Sequence, residues 1–221
     1  PGPRLPHDMA ITEHYAILHD LPFFHDVEIL RQHGKRMVRF HPDIPARFGI
    51  IPRRGQASEI RWFEAEPCYI LHLVNCWEEG EWVHQVGCRQ ADPGYERDQK
   101  DGKLGSMMAQ RRRIHVLYRW SFSMRTGEVR EGPIDDLNTE FPTANHNFLG
   151  RKSRISFNQL IPLAEDGSTV GQCQTFDGIV RYDLDTGSSQ RFDYGEGVYG
   201  NEAPIAPRRG ATRDTPEEAA Y

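Results

Sequence analysis

Residues 6–26, PHDMAITEHYAILHDLPFFHD, hold four of the chain's ten histidines: His7, His14, His19 and His25. Three stand directly before an aspartate, as His7-Asp8, His19-Asp20 and His25-Asp26. Imidazole is a common metal ligand, and a ligating ring usually donates its second N–H to a carboxylate or carbonyl. His-Asp dipeptides also mark metal phosphohydrolases, but that chemistry sits on helices and these residues fall on short strands and turns. A fifth histidine, His72, lies in YILHLVN with apolar neighbours on both sides, which points it into a buried space. A single ring of that kind is more often a hydrogen-bonded core residue than a ligand. Two rings aimed at a shared axis from separate strands, His7 and His72, would make a metal site, and buried glutamates at strand ends would support it. Glu140 in NTEFP and Glu202 in GNEAP stand out for that role, with exposed loop carboxylates as the alternative reading. The same pair could imitate the facing carboxylates of a glycosidase. The zincin, nucleophile-elbow, P-loop and dinucleotide signatures do not occur.

The elements that must carry these residues read as short strands. MAIT-EH-YAIL gives two strands around a polar bend at Thr12–His14, and PCYILHLVNCW gives a strand ended by EEGE. RIHVLYRWSFSM-RTG-EVREGP and GIVRYDL-DTG-SSQRFDYG each give a strand, a Thr-Gly turn and a returning strand. Gly127 and Gly187 supply the left-handed turn residue. The two hairpins form a weak repeat with a period of 60 residues, which suggests a β-propeller or another radial all-β array. FHDVEILRQHG (24–34) predicts a short helix, and DGKLGSMMAQRRRIHV another, broken at Gly105. CRQADPGYERDQKDG reads as a long loop.

Composition narrows the function classes. The 221 residues carry a net charge of −5 and 38% hydrophobic residues, enough for a core and no electrostatic reason to expect nucleic acid. The triplet Arg111–Arg113 is too short to track a phosphate backbone and reads as a solvated edge. No apolar run approaches the length of a membrane span, and no secretory signal is visible. Cys68, Cys76, Cys88 and Cys173 form no C-x-x-C and read as reduced, buried thiols of a cytoplasmic protein. The chain begins without Met and stops without a tail, so it is expected to be a middle piece of a longer one: residues 1–221 as a single partial propeller domain.

PHDMAITEHYAILHDLP, RFGIIPR, RWFEAEPCYILHLVNCWEE, NTEFP, FDGIVRYDLDTG and YGNEAPIAPR, in this order, resemble the carotenoid cleavage oxygenase family. This is also the retinal pigment epithelial membrane protein family, and it includes bacterial stilbene-cleaving dioxygenases. The resemblance covers essentially the whole chain. It implies a seven-bladed β-propeller with short helices in its loops, and non-haem Fe(II) on the axis held by four histidines, three of them backed by glutamates. It implies O₂-dependent cleavage of a conjugated carbon–carbon double bond into two carbonyl products. By motif, His7 matches the second iron histidine and His72 the third. Glu140 matches the glutamate behind the third histidine, and Glu202 the one behind the fourth. The first and fourth histidines and the first glutamate have no counterpart within the 221 residues. None of His14, His19, His25, His33, His41, His84, His115 or His146 sits in a matching motif.

The implied partners are O₂ and a long apolar conjugated molecule, with membrane contact for substrate extraction unreadable. Phe141, beside Glu140, is a candidate substrate contact. Trp62, Phe63, Tyr69 and Trp77 could share that role or be plain core. Carotenoid or apocarotenoid cleavage is the leading expectation. Stilbene cleavage by the same chemistry, and a truncated non-catalytic propeller that binds an apolar ligand, are the alternatives.

Overall fold

The computed structural model describes residues 4–34, 37–94, 99–104, 113–164 and 175–220. The Thr12–His14 bend is closed by the Thr12 N–H on the Tyr15 carbonyl at 2.8 Å. It joins β1 (Ala10–Ile11) to β2 (Tyr15–Asp20), with Ala10 opposite Ile17. The chain then makes a small hairpin, β3 (Phe23–His25) and β4 (Val38–Phe40), around helix α1 (Val27–His33). Asp26 starts α1 by accepting the Ile29 N–H, and Gly34 ends it at φ 63°, donating to the Leu30 carbonyl. β5 (Ala46–Pro52) returns to β2 and pairs with β6 (Arg61–Ala65), giving a sheet ordered β1-β2-β5-β6. His25, inside the segment 24–34 expected to be helical, is the last residue of β3, and the helix begins at Val27.

The rest is an antiparallel meander. Its strands are β7 (Tyr69–Glu79), β8 (Trp82–Gln90), β9 (Val116–Ser123), β10 (Val129–Thr143), β11 (Ile155–Leu160), β12 (Gly178–Asp183) and β13 (Ser189–Asp193), each paired with the next. β10 belongs to two four-stranded groups. Residues Val129 to Pro133 and Asn138 pair with β9, whereas Thr139, Glu140 and Thr143 pair with β11. The 60-residue repeat is the step between these groups, since β9–β10 and β12–β13 occupy equivalent places in them. Their turns are also equivalent. Ser123 Oγ and Asp183 Oδ1 accept the N–H groups of Thr126 and Thr186, and Gly127 (φ 83°) and Gly187 (φ 74°) turn the chain.

Residues 88–90, expected in a loop, form the end of β8. Of the second helix expected over 101–116, residues 101–104 belong to a kinked 3₁₀ segment (Gln99–Leu104), residues 105–112 lie outside the described residues, and 113–116 are not helical, Val116 opening β9. Arg113 lies over the Phe23 ring, 5.4 Å from its centroid, so this end of the arginine triplet is engaged with the protein.

Two cores fill the spaces between the three groups of strands. Phe48 and Ile50 of β5, Phe63 of β6, Tyr69 and Ile70 of β7, and Trp120 and Phe122 of β9 form the first. Val74 and Trp77 of β7, Leu117 of β9, Leu160 of β11 and Val180 and Tyr182 of β12 form the second. Trp120 and Phe122 of β9 enter the first core and Leu117 the second, so the middle group is buried on both faces between its neighbours. Phe63, Tyr69 and Trp77 are thus core residues, while Trp62 is exposed beneath the Arg47 guanidinium.

Candidate metal centre

His72 sits where β7 departs from its ladder. It falls within one register shift, between Ile70 and Leu73, and a second follows between Leu73 and Asn75. Opposite it, a Cβ on Gly87 would meet Leu73 Cδ2 at 2.7 Å and the His72 carbonyl at 3.0 Å. Only glycine lets β8 approach the distorted stretch so closely. The shifts leave the imidazole half-buried and facing a cleft of about 260 Å³ instead of a closed core.

His72 Nδ1 lies 2.7 Å from Glu140 Oε2, and Glu140 is fully buried. That hydrogen bond raises the His72 pKa above its ordinary value; burial opposes the shift, and the charges of Glu140, Asp8 and Glu202 reinforce it. Occupying Nδ1 leaves Nε2 as the nitrogen able to offer a lone pair. Glu140 Oε1 is buried and has no hydrogen-bond partner among the described residues. A buried carboxylate oxygen without a donor is costly to keep.

The His7 ring stands against His72, with centroids 5.1 Å apart and planes at 79°. His7 itself is exposed on its other side. Phe141 covers the His72 ring at 4.9 Å and meets Phe176 at 5.1 Å. Its φ of 48° is the left-handed exception among the described non-glycine residues. Consecutive residues of a regular strand point to opposite faces. The left-handed turn at Phe141 breaks that alternation, so neighbouring residues can both reach one imidazole. Glu202 lines the same cleft, together with Asp8 and Thr143. It is exposed and lies on no strand, which is the exposed-loop alternative for this residue and not the buried strand end.

His7, His72, Glu140 and Phe141 are thus brought together, with Glu202 at the cleft's edge. His146, which sits in no matching motif, lines the same cleft. Other histidines lie away from it. His14 pairs with Glu78, His19 is buried against Gln85, and His84 meets Ser121. Among the described residues no group of three or more His, Cys, Asp or Glu side chains is arranged to hold a metal by itself. Cys68, Cys76 and Cys88 are buried and unbridged, and burial pushes the first two thiols up to about 12. Cys173 lies outside the described residues. No described helix is long and apolar enough to cross a membrane.

The arrangement of strands is that of known oxygenases. A Synechocystis ACO mutant aligns over 100% of this chain and 44% of its own, with a TM-score of 0.80 and 23% identity. Pseudomonas brassicacearum lignostilbene dioxygenase aligns over 94% of this chain and 44% of its own, with a TM-score of 0.75 and 24% identity. The fold is that of an all-β, propeller-type chain.

The chain belongs to the retinal pigment epithelial membrane protein family, whose model matches residues 1–221. Carotenoid 9,10(9',10')-cleavage dioxygenase 1 of Arabidopsis thaliana is 32% identical over 96% of this chain and 40% of its own length. The Mycobacterium tuberculosis carotenoid cleavage oxygenase is 26% identical over 85% of this chain and 44% of its own. The chain spans about 40% of the length of the curated relatives it matches.

Proposed function

We propose that these 221 residues form one part of a propeller domain in an iron(II)-dependent dioxygenase that splits a conjugated double bond of a carotenoid or apocarotenoid. One observation carries the reading: the His72 imidazole is held between the His7 ring and a fully buried Glu140. That donor set suits a divalent iron. Two neutral imidazoles offer nitrogen, and a carboxylate behind one of them supplies the compensating charge. A bound ferrous ion would supply the means to activate O₂.

The chain's own residues have separable tasks. His7 and His72 would each provide one ring nitrogen. Glu140 fixes the His72 tautomer with the proton on Nδ1 and raises the basicity of the ring. Phe141 and Phe176 give the cleft an apolar wall suited to a hydrocarbon chain, and keep water from that side of the imidazole. Glu202, charged and exposed on the same cleft, acts on His72 through space.

The carotenoid assignment draws on the curated relatives, whose identity to this chain exceeds that of the stilbene-cleaving structure. The test uses the full-length gene product. Iron content is measured, then a carotenoid, an apocarotenoid and a stilbene are presented without oxygen before O₂ is admitted, and products are weighed by mass spectrometry. Carbonyl fragments of the carotenoid or apocarotenoid are expected, with at least a hundredfold loss in His72→Ala. A protein that holds no iron and forms no carbonyl product, or a His72→Ala variant of undiminished activity, would overturn the proposal. Cleavage of the stilbene alone would move the substrate assignment.

A further inference from the structure

The segment before β2 and strand β7 are joined by a row of contacts at nearly constant separation in sequence. Tyr69 Oη donates to the Leu5 carbonyl at 3.0 Å, and the Leu73 N–H donates to Asp8 Oδ2 at 3.0 Å. Cys76 Sγ donates to the Ile11 carbonyl at 2.6 Å, and the His14 N–H donates to Glu78 Oε1 at 2.8 Å. The two partners are 64 or 65 residues apart in every case. A constant offset means that the two segments run side by side in the same direction. His7 and His72 share that offset, and their rings meet.

These links run between a side chain and a backbone group. They lack the redundancy of a β-ladder, and truncating one side chain deletes one link. The Asp8 link is the one beside both imidazoles, because Asp8 follows His7 and Leu73 follows His72. Its geometry is fixed at both ends. Asp8 Oδ1 accepts its neighbour's N–H, from Met9, at 2.7 Å, which turns Oδ2 towards Leu73. The Leu73 N–H lies in the stretch where β7 has slipped from its register with β8. The carboxylate thus binds the backbone at the point where the ladder is irregular.

We infer that Asp8 is a positioning residue for the metal centre: by clamping the backbone of Leu73 it sets the His7 ring opposite His72, so that both nitrogens face one point. The inference rests on the reading of these histidines as a metal pair. Iron binding and ring placement are therefore measured separately. In the full-length gene product labelled with ¹³C-histidine, contact between the His7 and His72 ring protons is read by nuclear Overhauser effect without metal. Retention of Fe(II) is read anaerobically against a competing chelator.

Asp8→Ala is expected to lose the ring–ring contact and to bind Fe(II) about 10–100-fold more weakly, the usual cost of removing a group that orients a ligand. Asp8→Asn keeps an oxygen acceptor for the Leu73 N–H and is expected to restore the contact and most of the affinity. Asp8→Ser, too short to reach Leu73 but able to bond locally, gives the same comparison if the alanine variant does not fold. Undiminished ring contact in Asp8→Ala or Asp8→Ser, or an Asp8→Asn variant as impaired as either, would overturn the inference. If wild type holds Fe(II) no better than His72→Ala, the metal reading falls, while the proton contacts still decide whether Asp8 sets the pair.

Discussion

Glu140 is the residue on which the site's electrostatics turn. It is buried with one oxygen on His72 and the other unpaired among the described residues, beside an imidazole whose charged form it favours. Glu140→Gln keeps the shape and an acceptor but removes the charge. Iron retention in the full-length gene product is expected to fall about tenfold or more, with folding intact by circular dichroism; unchanged iron affinity would contradict the role. His7, His72 and Glu140 were legible as residue types because each sits in a short motif that sets it apart from the other histidines and glutamates. For Glu202 the sequence left two readings open, since GNEAP fits a strand end and a surface loop equally well, and the structure has the exposed loop. The part proposed for Asp8 was hidden for a different reason. Its partner is a backbone N–H 65 residues away, and a backbone donor leaves no mark on side-chain pattern.

At the scale of elements, the Thr-Gly turns predicted two hairpins, and both formed. Asp183 shows what such a turn needs. Its Oδ1 accepts the N–H groups of Asp185 and Thr186, its Oδ2 takes the Arg154 Nε–H, and the Arg154 hydrogen bond holds its carboxyl down at about 2. A depressed folded-state pKa contributes stability that is present above the unfolded value near 3.8 and is lost as pH falls towards about 2. Asp183→Asn is expected to cost roughly 1 kcal/mol at pH 7, for a weakened set of charge-assisted bonds. Urea titrations at pH 7, 4 and 2.5 should show the gap between variant and wild type closing with acid. A gap independent of pH would rule out the ionised form as its source. β10 was harder to read. EVREGP reads as a returning strand that stops at Pro133, before two consecutive aspartates, yet Val129–Thr143 is one strand. It changes partner across those residues, so a missing proline N–H costs little there.

Across the whole molecule, the core that joins the first sheet to the meander is dominated by aromatic side chains. Phe48 is fully buried and touches Trp120 and Phe122, with centroids 5.7 Å and 5.0 Å away. Phe48→Ala should destabilise the fold by about 3–5 kcal/mol, the usual range for an emptied aromatic core position, as read from the urea midpoint. A change below about 1 kcal/mol would mean that the two layers do not depend on this ring for their packing. β10 carries a different kind of dependence. Its first half takes its place from the group that includes His72, and its second half, with Glu140, from the next group along. A slip of two residues along either ladder would carry the carboxylate roughly 7 Å from the imidazole. On the proposed iron reading, the pocket can form only after both halves of one ribbon have chosen their neighbours, so metal capture during refolding would report when that choice is complete.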